Sequence, residues 1–240
     1  MLPVARSAVS TVWSRRGRAI VLEESYLEST IRWHLYRRWK WRRSPKRVGE
    51  RIFHAAVRSS PKGGLFVDCG ANVGDITAAA LRYGMRVIAF EPDLDALAVL
   101  RERHGSDNRV TIIPKAVGNS DRIADFHQSA EVQTGNLRST EASSMIPTGN
   151  NRGRVRQVEV VDIVKFLRSL DEPVSILKMD IEGAEVECVE ALLDAGLVGE
   201  IGQIIVETHE RFSQELSEAT AALRRRLADE KIGNVNLDWI

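Results

Sequence analysis

Three short stretches carry the residues of this chain that could do chemistry. The first is Leu65-Phe66-Val67-Asp68-Cys69-Gly70-Ala71-Asn72-Val73-Gly74, an apolar run that meets an acid and then a glycine turn. That pattern is a buried strand feeding a tight turn whose backbone can approach a ligand closely. A helix opens beyond it and presents unpaired N–H groups to whatever sits there. Val87-Ile88-Ala89-Phe90-Glu91 follows, a second apolar run with an acid at its tip, where a βαβ unit holds ribose hydroxyls. The second stretch holds Asp180 and Glu182, and the third Glu207 and His209. Each pair is two residues apart at a strand's carboxyl end, so each is expected to face one pocket. The carboxylates could hold a substrate hydroxyl, orient a ligand ammonium or bind a divalent cation such as Mg²⁺. A neutral imidazole at His209 would suit removal of a hydroxyl proton.

The first stretch narrows the ligand. A dinucleotide site would carry Gly-x-Gly-x-x-Gly, and Gly70-Ala71-Asn72-Val73-Gly74 does not. Asp68 would also set a carboxylate against a pyrophosphate. A cofactor with no phosphate and a cationic amino-acid end fits better. S-adenosylmethionine has an ammonium, a sulfonium and a ribose.

Phe66 to Gly74 with Phe90-Glu91-Pro92 resembles the first two motifs of the FkbM family of methyltransferases. Leu177-Lys178-Met179-Asp180-Ile181-Glu182-Gly183-Ala184-Glu185 is similar to that family's most characteristic motif. Ile205-Val206-Glu207-Thr208-His209 resembles its late strand, and Val158-Glu159-Val160-Val161-Asp162 the strand before its connecting helix. The resemblance covers about residues 60 to 215 and leaves out 1–50. It implies a class I methyltransferase-like fold, S-adenosylmethionine as cofactor and a hydroxyl oxygen of a sugar, glycan or secondary metabolite as acceptor. It implies cofactor contacts at Asp68, Gly70, Ala71, Asn72, Gly74, Glu91, Pro92 and Asp180. Glu91 would take the ribose hydroxyls, and Asp68 would sit near the methionine end, directly or through water. His209, Asp180 and Glu182 are the candidates for catalysis, and no metal is assigned. Against these stand plainer readings. Asp68 and Glu91 could cap the helices after their strands, Asn72 could only stabilise its turn, and His209 could be a satisfied strand-end histidine. Glu185 reads as a helix-start carboxylate.

Positioning such residues takes alternating strands and helices. Strands are expected at Leu65–Asp68, Val87–Glu91, Val110–Pro114, Val158–Asp162, Val174–Ile181 and Ile201–Glu207, with a last one at Val235–Ile240. Helices are expected at Asp75–Tyr83, Leu94–Arg103, Ile163–Leu170, Ala184–Leu193 and Phe212–Ala228. This is an α/β chain with a doubly wound, mostly parallel sheet and helices on both faces. Residues 128–154, rich in Ser, Thr, Asn and Gly, form a long insertion that would help set the acceptor. Ser59 to Gly64 is a breaker, dividing an N-terminal helical extension (1–60) from the methyltransferase domain (61–240). Within the extension, large residues at helical spacing predict one helix over Ile20–Trp41 and a second over Arg47–Arg58.

The net charge of +1 gives no overall pull toward nucleic acid, and none is expected as a partner. It conceals an asymmetry: residues 1–51 hold thirteen basic residues against four acidic ones, with four of the five tryptophans. Cations and aromatics interleave through residues 31–47. They form either a helix with solvated charges or a surface for an anionic glycan or membrane lipid. Residues 1–22 contain no acid, a transit-peptide composition that short basic starts share. Cys69 and Cys188 lack metal-ligand spacing and read as reduced core residues, and no apolar run is long enough to cross a membrane. A cytoplasmic protein, in reach of a membrane surface, is the expectation. Three rival readings remain: an N-methyltransferase, a nucleotide-dependent oxidoreductase, and a non-catalytic binding protein on a cofactor fold. The absent glycine fingerprint weighs against the second, and the intact Asp180–Glu185 carboxylates against the third.

Overall fold

The computed structural model describes residues 9–13, 19–23, 45–128 and 155–239. They fall into two compact units, Met1–Val48 and Gly49–Ile240. In the first, β1 (Val9–Trp13) pairs antiparallel with β2 (Ala19–Glu23). The helix expected from Ile20 therefore gives way at its start to a strand, built of the β-branched run Ile20-Val21. The rest of that expected helix, and most of the basic segment 31–47, lie outside the described residues.

The second unit begins within helix α1 (Pro45–Ser59), whose Phe53, Ala56 and Val57 are buried. Phe53 meets Phe66 and Trp239 edge to face, with ring centroids 6.0 and 5.8 Å apart. The compact unit thus begins at Gly49 rather than after Ser60, because the apolar face of α1 completes the core. From there the chain alternates: β3 (Leu65–Cys69), α2 (Asp75–Arg82), β4 (Arg86–Phe90), α3 (Leu94–His104), β5 (Val110–Ile113) and β6 (Ala116–Gly118). Next come β7 (Arg122–His127), β8 (Val155–Asp162), α4 (Ile163–Arg168), β9 (Val174–Met179), α5 (Glu185–Asp194), β10 (Gln203–Glu207), α6 (Gln214–Asp229) and β11 (Val235–Trp239).

Six strands form one sheet in the order β11-β10-β9-β3-β4-β5, every neighbouring pair parallel. Both faces are covered. Leu65, Val67 and Cys69 point into a core shared with α4, α5 and α6, while Phe66 points into one shared with α1, α2 and α3. Burial on both sides explains why the strands read as unbroken apolar runs. From β3 the chain first winds one way to β4 and β5, then returns to the other side through β9, β10 and β11. The reversal lies between β3 and β9, and their carboxyl ends flank the crevice where open α/β sheets bind ligands.

A three-stranded sheet, β6-β8-β7, lies alongside in sequence. β8 begins at Val155, earlier than Val158, and pairs with β7, a strand that periodicity did not show. Cys69 and Cys188 are buried free thiols. No helix among the described residues is long and apolar enough to cross a membrane.

Candidate active site

Gly70 follows β3 with a φ of 77°, and a Cβ there would lie 1.8 Å from the carbonyl oxygen of Asp180. Only glycine therefore lets the turn pack against the loop after β9. The N–H groups of Gly70 and Ala71 both donate to the Phe90 carbonyl, at 3.1 and 2.9 Å, which ties the turn to the tip of β4. Asn72 adopts a φ of 50°, and its Oδ1 accepts from the Val73 N–H at 2.7 Å. That bond locks the turn, the plainer of the two roles foreseen for this side chain. Gly74, with a φ of 86°, starts α2 with no side-chain cap.

Glu91 stands at the tip of β4, 5% exposed. One carboxylate oxygen accepts from the Asn72 N–H and the other from the Asp93 N–H, both at 2.7 Å. The carboxylate thus joins the two halves of the predicted cofactor site. A carboxylate has about four lone-pair positions, so each oxygen keeps capacity for a further donor such as a ribose hydroxyl. Burial pushes its carboxyl up to about 8, against the two backbone donors that favour the ionised form. Pro92 is half-buried and leads into Asp93, which caps α3 by accepting from the Asp95 N–H at 2.9 Å. Helix capping at this strand end therefore falls to Asp93, leaving Glu91 with the turn.

Asp68 is held from within the sheet. Its side chain is fully buried, with Oδ2 accepting from the Thr77 hydroxyl at 2.8 Å and Oδ1 3.3 Å from the Lys178 ammonium. Asp68 and Lys178 are register partners on β3 and β9. Lys178 also donates to the Gly70 carbonyl at 2.7 Å and lies 3.5 Å from Asp180 Oδ2. In this arrangement the Asp68 carboxylate is engaged by Thr77 and Lys178. The residue anchors the lysine that holds the glycine turn. Burial raises the Asp68 carboxyl, with the Lys178 charge acting against it. Burial also works to lower the Lys178 ammonium, but the charges of Asp68 and Asp180 outweigh it and hold it above its ordinary value. Sequence reasoning passed over Lys178. A lysine in the middle of an otherwise apolar strand was the available signal, because burial of such a group demands partners.

Beyond β9 the chain brings Asp180, Glu182, Glu207 and His209 together, though by another route than strand alternation. β9 ends at Met179 and β10 at Glu207. Glu182 takes a φ of 59°, a left-handed conformation that costs a non-glycine residue energy and turns its side chain toward His209. The loop is clamped by Glu185, whose oxygens accept from the Ile181 and Gly183 N–H groups, each at 2.9 Å. The same carboxylate takes His209 Nδ1 at 2.8 Å. Glu185 is more than a helix-start charge, since it orients the imidazole.

His209 is 2% exposed. Its Nε2 lies 3.2 Å from Glu182 Oε2, 3.8 Å from Asp180 Oδ1 and 3.9 Å from Glu207 Oε1. Burial works to lower this imidazole, but Glu182 and Glu185 outweigh it and push it up to about 10. The surrounding carboxylates thereby favour the protonated imidazole. Burial and the Asp180 charge push Glu207 up to about 7, where a carboxylate can accept a proton efficiently. Asp180, with 30% of its side chain exposed, is the most accessible of the four.

Comparison with known proteins fits this architecture. The family model described as the methyltransferase FkbM domain matches residues 68–233. The chain belongs to the FkbM methyltransferase family. Family membership identifies residues 68–233 as a methyltransferase domain. Among solved structures, it is similar to methyltransferase FkbM from Methylobacillus flagellatus KT, at 20% identity and a TM-score of 0.43. That match covers 68% of this chain and 37% of the other, so this chain spans well under half of that protein's length. It is also similar to SMU.1697c of Streptococcus mutans, solved in complex with SAH, at 10% identity, TM-score 0.43, covering 74% and 81% of the two chains. The 1,6-didemethyltoxoflavin-N1-methyltransferase of Burkholderia thailandensis matches at 16% identity, TM-score 0.24, over 70% and 86%. Among curated proteins, none matches the sequence.

Proposed function

We propose that the chain transfers a methyl group from S-adenosylmethionine to a hydroxyl oxygen of a sugar, glycan or secondary metabolite. The observation that carries this reading is the carboxylate cluster at the carboxyl ends of β9 and β10, set beside the glycine turn through Lys178. The cofactor supplies an electrophilic methyl carbon on a positively charged sulfur. Glu91 would hold its ribose, and the Gly70–Gly74 turn would lie along it. The protein has to align the acceptor oxygen and take up its proton. A neutral amine needs no such help before it attacks, whereas a hydroxyl does, and acceptor-only groups crowd this crevice. Glu207, poised near 7, and the accessible Asp180 suit that task. No covalent enzyme intermediate is required.

The test is incubation of the full chain with methyl-¹³C cofactor and fractionated cell-envelope glycans and lipids. A new methoxy carbon in the product supports the reading. An N-methyl carbon would sink it, as would failure of S-adenosylmethionine and S-adenosylhomocysteine to bind in calorimetry.

A further inference from the structure

We propose that Asp180, Glu182 and His209 form a binding site for one divalent transition-metal cation, a property nothing in the family match assigns. Their ligand atoms lie within 4.8 Å of one another, a spacing that one ion could bridge. Clustered carboxylates alone would not carry this. The deciding feature is His209. Its side chain is 1% exposed, and Nε2 makes no hydrogen bond although it is turned into the cluster. The 3.2 Å approach to Glu182 is close but misaligned. A buried ring nitrogen without a hydrogen bond costs free energy. A cation would satisfy it.

The surroundings supply the usual support for a metal-bound histidine. Nδ1 bonds to Glu185 at 2.8 Å. A carboxylate on Nδ1 keeps a proton on that nitrogen, so that metal binding displaces the Nε2 proton and takes its lone pair, and it sharpens the ring's orientation. Glu185 is itself held by two backbone N–H groups, so the ring cannot easily turn away. Glu182 reaches the ring nitrogen from a left-handed backbone conformation. Charge argues the same way. Asp180, Glu182 and Glu207 all lie within 3.9 Å of a single nitrogen; among the described residues Lys178 lies 3.5 Å from Asp180 and Arg211 3.8 Å from Glu207. Mutual repulsion of carboxylates is relieved by a shared cation.

One imidazole and two carboxylates favour Mn²⁺, Fe²⁺ or Zn²⁺ over Mg²⁺, which prefers all-oxygen ligands and its own water. Accessible Asp180 leaves a side open for an acceptor oxygen, so the cation would act as a Lewis acid there. That last role rests on the proposed methyl transfer, while the site itself does not.

The experiment uses the full chain stripped with a chelator, titrated with Mn²⁺ and followed by the electron paramagnetic resonance of free Mn²⁺. We expect one Mn²⁺ per chain, bound at least tenfold more tightly than Mg²⁺. Asp180→Asn and His209→Gln should each weaken it by tenfold or more, and Glu185→Gln by 10–100-fold through the ring orientation. Should His209→Gln fail to fold, the partly exposed Asp180→Asn keeps the test. Equal Mn²⁺ affinity in the wild type and Asp180→Asn would overturn the site. Calorimetry with S-adenosylhomocysteine on the same protein separates the two ideas. Cofactor binding with no Mn²⁺ binding rejects the cation site and spares the methyltransferase reading. Mn²⁺ binding without the cofactor supports the site and rejects its Lewis-acid role.

Discussion

Replacing Lys178 by methionine should cost this fold more than any single surface change. The ammonium is 3% exposed, 3.3 Å from the buried Asp68 carboxylate and 2.7 Å from the Gly70 carbonyl. Removing one member of a buried pair costs about 3–5 kcal/mol, and the lost carbonyl bond adds about 1 kcal/mol. A loss of about 4–6 kcal/mol follows, a large share of the roughly 5–15 kcal/mol that holds a domain together. Asp68→Asn should cost less, because Lys178 keeps Asp180 and the Gly70 carbonyl. The double variant should be less destabilised than the two losses added, by about 1–3 kcal/mol. The Lys178→Met penalty should also depend on pH. With its cation gone, Asp68 has a folded-state value still further above the ordinary 3.8. The folded state then binds more protons than the unfolded one, so stability falls as pH rises from that value. Urea unfolding of all four proteins at pH 5.5 and pH 8 measures this, and the Lys178→Met deficit should be smaller at pH 5.5. Additive effects, or a deficit independent of pH, would refute the pairing.

The remaining expectations concern the cofactor side. Glu91→Ala should weaken S-adenosylhomocysteine by about tenfold or more, since a hydrogen bond to a charged group contributes roughly 1.5–3 kcal/mol; unchanged affinity in a variant with a normal melting curve would remove Glu91 from the ribose site. Because the Glu91 carboxyl lies near 8 and its ionised form accepts from hydroxyls, affinity should rise with pH between 6.5 and 8.5, and Glu91→Gln should flatten that slope in calorimetry. Gly70→Ala should unfold the turn or the whole unit, as its Cβ would lie 1.8 Å from a backbone oxygen, and soluble protein with wild-type cofactor affinity would contradict that packing.

Much of this architecture was legible in the chain because its strands are buried on both faces. Leu65–Cys69, Arg86–Phe90 and Val174–Met179 each read as an apolar run ending at an acid or a turn, and Asp93 marked the start of α3. β7 was missed because Arg122–His127 is an exposed edge of a small sheet whose partner lies across the insertion. The site shows the same division. Gly70 and Glu91 announced themselves by local spacing. That Asp68 faces Lys178 depends on register between strands far apart in the chain, which no local pattern encodes. That Glu182 joins His209 depends on a left-handed turn rather than on strand alternation.

The contact of Phe53 with Trp239 carries a consequence for how the protein is made. α1 is synthesised early, and its apolar face finds its last partner only when β11 emerges from the ribosome. At about 5–20 residues per second, that interval is on the order of ten seconds or more. Throughout it Phe53 is only partly covered, and β10, once made, lacks its outer neighbour until β11 follows. The apolar face of α1 is therefore open to chaperone capture until β11 has left the ribosome.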